Sequence, residues 1–202
     1  MTSLPASTDL PLELAPDFRL QPAFLSPTQA QGMLETLWRE LAWKQHRVTV
    51  FGRRYLQPRL TAWQADPGVS YTYSGLELSA APWHPLLDRL RRELQVRLDA
   101  VFNSVLVNAY RDGNDAMGWH ADDEPELGVE PVIASLSLGA SRRFLVRPKK
   151  RGHGGRASRG VDLGHGDLLL MRGRSQADWQ HSISRTKQTV GLRINLTFRR
   201  IH

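Results

Sequence analysis

Cysteine is absent from the 202 residues. With it go disulfides, thiolate zinc sites, iron–sulfur clusters and a cysteine nucleophile. Any metal held by this chain must take His, Asp or Glu. Long apolar runs are missing as well: none approaches the about 20 residues that cross a bilayer. No membrane partner is expected. The N-terminus has no basic stretch followed by an apolar one, the pattern of a secretory signal. Lysine is scarce, so arginine supplies most of the 27 basic residues. No repeat and no clear boundary divides the chain. These absences give the expectation of a soluble, cytoplasmic, monomeric protein, associated with the nucleoid if the cell is bacterial. Residues 1–22, rich in Pro, Ser and Leu, read as a tail or strap, and residues 23–202 as one domain.

What is present is a core and an excess of positive charge. Hydrophobic residues make up 41% of the chain, enough for one compact unit. The net charge is +7 and the pI about 10.3. That excess suggests a polyanionic partner, nucleic acid ahead of membrane. The planar arginine fork suits phosphate, although a GC-rich genome produces the same bias.

Two helices precede a run of strands. Ser26 is placed as an N-cap, Pro27 at the first helical position and Gln29 as the capping-box partner. Leu34, Leu37, Trp38 and Leu41 then share a face. A second helix lies in WHPLLDRLRRELQVRLDAVF, where Leu86, Leu87, Leu90, Leu94, Leu98 and Val101 keep helical spacing. VTVFGRRYLQPRLTAW between them reads as a hairpin or a long loop. After residue 103, SVLVNAY, VIASLSLG, RRFLVRP, DLLLMRG and TVGLRINLTFRR are β-rich runs broken by turn residues. The order predicts an α+β protein with helices packed on a β-sandwich or jelly roll.

The stretch NAYRDGNDAMGWHADDE, residues 108–124, carries the chemistry. His120 and Asp122 are two apart, and in a strand such residues point to one side. Two His and one carboxylate on one face, with open positions opposite, is the donor set of non-haem Fe(II) oxygenases. A solvated acidic turn reads the same way. Of the other histidines, His84 opens a helix, His153 sits in a basic loop, His165 in a Gly-His-Gly turn, and His202 is terminal. His181, following a strand and preceding the last one, is the best placed third ligand.

In LRINLTFRR the residues Leu192, Ile194, Leu196 and Phe198 alternate with Arg193, Asn195, Thr197 and Arg199. An ordinary strand with its polar face in water would show this alternation. So would the wall of a cleft that binds a dicarboxylate. The two arginines are six residues apart, roughly 20 Å along a strand. One should therefore hold the far carboxylate while the other lies nearer the metal end.

Taken together, VFG, YTYSG, NAYRDGNDAMGWHADDE, IASLSLGASRRF, DLLLMRG, WQHS and RINLTFR resemble the AlkB family of Fe(II)- and 2-oxoglutarate-dependent dioxygenases, closest to its duplex-DNA repair branch. The resemblance implies a double-stranded β-helix, Fe(II), and the co-substrates 2-oxoglutarate and O2. It implies that His120, Asp122 and His181 hold iron. Asn108, Tyr110, Arg193, Asn195, Thr197 and Arg199 would contact 2-oxoglutarate. Tyr71, Tyr73 and Ser74 of YTYSG would line a base pocket, and Asp123 and Glu124 would face a cationic methylated base. Val50, Phe51 and Gly52 would form a hydrophobic finger, with Phe51 as a wedge and Arg53 beside phosphate. Arg54, the loop from Arg147 to Arg159, Arg185 and Lys187 would also contact the backbone. The implied reaction is oxidative demethylation of 1-methyladenine and 3-methylcytosine in DNA, duplex or single-stranded, after base flipping. The same chemistry on RNA, protein or a small molecule, a non-catalytic nucleic-acid-binding module, and a zinc hydrolase are the rival readings.

Overall fold

The computed structural model describes residues 17–50, 53–73, 76–78, 80–149 and 157–202. The first element among the described residues is strand β1 (Phe18–Gln21), and helix α1 (Pro27–Glu40) follows. The expected cap is in place: the Ser26 hydroxyl accepts from the Gln29 backbone, and the Gln29 side chain accepts from the Ser26 backbone. Two short hairpins flank β4 (Leu60–Ala65). One is β2 (Arg47–Val50) with β3 (Arg53–Leu56), the other β5 (Tyr71–Tyr73) with β6 (Leu76–Leu78). Helix α2 (Pro85–Leu98) opens at His84, whose Nδ1 accepts from the Leu86 backbone.

The rest of the chain is mostly strand. In order come β7 (Ser104–Tyr110), β8 (Met117–His120), a 3-10 turn (Pro125–Leu127), β9 (Ile133–Gly139), β10 (Arg142–Pro148), β11 (Arg159–Leu163) and β12 (Leu168–Met171). Helix α3 (Ser175–Asp178), β13 (Trp179–Ile183) and β14 (Arg193–Arg199) complete it. Two antiparallel sheets result: β1-β12-β9-β14-β7-β4, and β11-β10-β13-β8. Phe18, Tyr110, Ile133 and Met171 of the larger sheet pack with Phe144, Val146 and Ile183 of the smaller one. The sheets therefore face each other as a jelly roll, and the α+β expectation holds. The outer face of the larger sheet carries the helices: Leu37 of α1 and Leu87, Leu90 and Leu94 of α2 pack on Val105, Val107, Leu136, Ile194, Leu196 and Phe198.

Three details differ from the sequence reading. Residues 18–21, read as part of a tail or strap, belong to the sheet, because β1 pairs with β12 and Phe18 is buried against Phe144 and Trp179. Val101 does not extend the α2 stripe: Asp99 enters the left-handed region (φ 48°), the helix ends at Leu98, and Val101 is exposed. Trp38 leaves the α1 stripe to lie on Trp43 at the surface.

Strand β14 is buried on both faces, so its polar side is not turned to water. It is central in the larger sheet, with its apolar side under the helices and its polar side between the sheets. Its register with β7 and β9 makes two rungs across the sheet: Tyr110–Arg193–Gly139 and Asn108–Asn195–Ser137. Gly139 turns the chain at φ +86°, with the Leu192 carbonyl where a Cβ would stand. A side chain there would be strained twice, by the backbone angle and by contact.

Candidate active site

Two histidines meet across a strand pair. His120, the last residue of β8, is in register with His181 in the middle of β13, and their ring centroids are 4.2 Å apart. His181 thus lies within a strand rather than after one. Asp122 lies beyond the end of β8, so the two-residue spacing does not act through a strand. The ligands converge nonetheless. One donor atom each from His120, Asp122 and His181 falls within 4.8 Å of the others, the one such His/Cys/Asp/Glu group among the described residues. His120 Nδ1 is 2.9 Å from the Gly118 carbonyl, which turns Nε2 towards Asp122 Oδ1, 3.8 Å away.

The charges suit a cation. Asp122 is fully buried, its Oδ2 accepts from Arg199 at 2.8 Å, and its Oδ1 has no hydrogen-bond partner. Burial alone would raise its pKa, but the Arg199 guanidinium and the two imidazoles outweigh this and hold it at about 2. Burial and the neighbouring His120 push His181 down to about 3. Desolvation lowers His120 as well. An ionised carboxylate and two neutral imidazoles are the protonation states that metal ligation needs. The Asp122 backbone N–H is held by Gln176 Oε1 at 2.9 Å.

The same pocket ends on an arginine. Arg193 is the largest fully buried side chain among the described residues. One terminal nitrogen donates to Ser137 Oγ (2.9 Å) and Asn195 Oδ1 (2.8 Å), while Nε and the other terminal nitrogen have no partner. Its guanidinium lies 5.2 Å from the Tyr110 ring centre. Burial pushes its pKa down to about 10. A buried, half-satisfied guanidinium is costly unless an anion completes it. Asn195 and Thr197 join by a 2.9 Å hydrogen bond, and Ser135 donates to Asn195. Asn108 accepts from Arg59 at 2.8 Å. The two arginines of the strand are thus separated: Arg199 pairs with Asp122, and Arg193 lines the same pocket with two nitrogens unpartnered.

The expected substrate residues are less concentrated. Asp123 is exposed and accepts from Lys149 Nζ at 2.6 Å, and Glu124 is half-buried ahead of the 3-10 turn. Neither lines the pocket that holds the histidines. Val50 and Arg53 are register partners closing the β2–β3 hairpin, and Tyr71 and Tyr73 are the end residues of β5. Phe51, Gly52 and Ser74 lie outside the described residues. Arg147 stacks on Trp119 (4.2 Å) and donates to Gln180. Arg185 donates to the Asn114 carbonyl.

Sequence reasoning missed Arg59, Ser135, Ser137, Ser182 and Gln176. Ser135 and Ser137 carried a signal, since they alternate with Ala134, Leu136 and Leu138 in IASLSLG as the polar residues alternate in β14. Arg59 and Gln176 carried none, because both lie outside any periodic run.

The model of the 2OG-Fe(II) oxygenase superfamily matches residues 17–199. The chain belongs to that superfamily. Within it the AlkB homologues are the relatives. The Homo sapiens protein "Alpha-ketoglutarate-dependent dioxygenase alkB homolog 3" is 41% identical over 189 residues, covering 91% of this chain and 65% of its own length. "DNA oxidative demethylase ALKBH2" of Homo sapiens is 44% identical over 160 residues, covering 77% of this chain and 61% of its own length. The chain thus spans less than two thirds of these relatives. A solved structure of OsALKBH1 superposes with a TM-score of 0.63 at 22% identity, covering 93% of this chain and 99% of that one, which supports the fold.

The residues fit what the superfamily name requires. The His-Asp-His donors, with buried Asp122 Oδ1 unsatisfied, suit a divalent iron. The two unpartnered nitrogens of Arg193 suit one carboxylate of a dicarboxylate, through the planar fork.

Proposed function

We propose that this protein demethylates alkylated bases in DNA, with 1-methyladenine and 3-methylcytosine as the expected lesions. Fe(II) bound with 2-oxoglutarate would activate O2 to oxidise the N-methyl group, which then leaves as formaldehyde. The carrying observation is the buried pocket that holds His120, Asp122 and His181 together with the incompletely paired Arg193. A zinc hydrolase would use the same three ligands but has no need of Arg193.

In this reading each side chain has a task. His120, Asp122 and His181 would hold the metal, one donor atom from each. Arg199 keeps Asp122 ionised and fixes its Oδ2, so that Oδ1 alone faces the cluster. Arg193 would pair with one carboxylate of the co-substrate through its two unpartnered nitrogens. Asn108, Tyr110, Asn195 and Thr197 line its flank. Packed Phe144, Met171 and Ile183 exclude water from the pocket. Asp123 and Glu124 do not line this pocket and Asp123 is paired with Lys149, so they would act on a cationic methylated ring only from outside it.

The substrate class rests on the names of the relatives and on the +7 charge. A base in duplex must first be flipped, at a cost of a few kcal/mol, and the VFG finger is the candidate wedge. The test is succinate formation and base repair against a panel of methylated single- and double-stranded DNA and RNA. Anaerobically loaded protein is mixed with O2 and 2-oxoglutarate. Repair by wild type but not by His120→Ala is expected, and equal activity of the two refutes the metal role. A preference for RNA would keep the chemistry and replace the substrate.

A further inference from the structure

We infer that Gln176 is a positioning residue for the metal centre: it fixes the backbone of Asp122 and so sets the affinity and geometry of the site. The inference rests on the reading of His120, Asp122 and His181 as metal ligands. It starts from a gap in the fold. Strand β8 stops at His120, so the sheet ladder orients His120 but not Asp122. The carboxylate is held through Oδ2 by Arg199, which fixes the side chain and leaves the backbone unaccounted for. The Asp122 N–H is buried, and a buried N–H needs a partner. Gln176 Oε1 supplies it, at 2.9 Å.

Gln176 is itself held by its other end. Its Nε2 donates to Ser175 Oγ (3.2 Å) and to Met171 Sδ (3.6 Å), the last residue of β12. Only 1% of the residue is exposed. Both ends of the amide are therefore committed, which also decides which atom faces Asp122: the oxygen must accept there. The location matters more than the bond. Gln176 lies on α3, which leads directly into β13 and His181. The segment that delivers one ligand thus grips the segment that delivers another. Were the amide lost, His181 would keep its place on β13, while Asp122 would be tied to the cluster through its side chain alone. A partner that orients a ligand in this way typically affects metal affinity about 10- to 100-fold.

The experiment uses the full chain and Co(II) as a spectroscopic probe, without turnover. Gln176→Met fills a similar space and removes the acceptor. Gln176→Glu keeps an acceptor for the Asp122 N–H and loses the amide donors. Co(II) affinity and the visible ligand-field spectrum are read for both, with the melting of the metal-free proteins alongside. Gln176→Met should weaken Co(II) at least tenfold and change its spectrum, with Gln176→Glu falling nearer to wild type. Co(II) affinity of Gln176→Met within twofold of wild type, with an unchanged spectrum, overturns the inference. Gln176→Ser serves if the methionine variant does not fold: it is too short to reach and should also lose affinity, and wild-type affinity overturns the inference as well. Wild type that binds Co(II) no better than His120→Ala would instead remove the metal reading itself.

Discussion

Replacing Arg193 by methionine should stabilise the empty protein and abolish its response to 2-oxoglutarate. Burial holds the Arg193 pKa at about 10, well below the ordinary guanidinium value. That difference corresponds to about 3 kcal/mol by which the empty fold disfavours the charge. Since the folded value lies below the unfolded one, the cost is complete at any pH below about 10 and fades only as pH climbs above it. Methionine removes the charge and also removes the hydrogen bonds to Ser137 and Asn195, together worth about 1–2 kcal/mol. The net gain for the ligand-free variant is on the order of 1–2 kcal/mol, each kcal/mol being about 2–4 °C for a chain of this size. Wild type with a redox-inert divalent ion should instead gain about 2.7 kcal/mol from 2-oxoglutarate at a hundred times its Kd. Thermal melting with and without ligand reads both effects. A variant less stable than wild type when empty, or one that still rises with 2-oxoglutarate, refutes the reasoning.

Asp122→Ala leaves Arg199 buried without its carboxylate and should cost the metal-free protein about 3–5 kcal/mol. His120→Ala should cost clearly less, and equal urea midpoints for the two would remove the argument. The metal-free protein should also weaken as pH falls below 6.5, because His181 stays neutral in the fold down to about 3 while the unfolded chain takes up a proton. Asp122 adds a second loss between 3.8 and about 2, as the unfolded carboxylate takes up a proton while the folded one stays ionised. The slope is up to about 1.4 kcal/mol per pH unit per group, and a urea midpoint unchanged between pH 7.5 and 5 contradicts it. Gly139→Ala should destabilise by more than about 1 kcal/mol, given φ +86° and the Leu192 carbonyl in its way. Chemical denaturation checks this, and a neutral effect would mean that the turn can move.

The sequence made the helices, most of the strands and the β14 alternation legible, since each depends on local periodicity. Ser26, Pro27 and Gln29 carried the start of α1 by themselves, because a cap is made within four residues. Burial of the polar face of β14 was not legible. It depends on β14 becoming central in one sheet and covered by another, which is a matter of chain topology. For the same reason His181 was a choice among several histidines until β13 came into register with β8. The convergence of His120 and Asp122 was anticipated, but by the wrong geometry: a strand was assumed where the chain has already left the sheet. Gln176 and Arg59 reach the site from loops and a short helix, where spacing carries no information. Of the base-pocket and finger residues, Phe51, Gly52 and Ser74 lie outside the described residues.

The Arg199–Asp122 pair has a consequence for loading. With Asp122 and Arg199 cancelling and both imidazoles neutral, the donor set carries no net charge before a metal enters. A divalent ion alone then places two positive charges in a dry pocket that already holds Arg193. A dicarboxylate alone places two negative charges against a single arginine. Arriving together, ion and dianion neutralise each other, so each must raise the affinity for the other by the same factor, about 5- to 150-fold for couplings of usual size. The pocket is therefore cooperative by electrostatics alone, with no change of shape required.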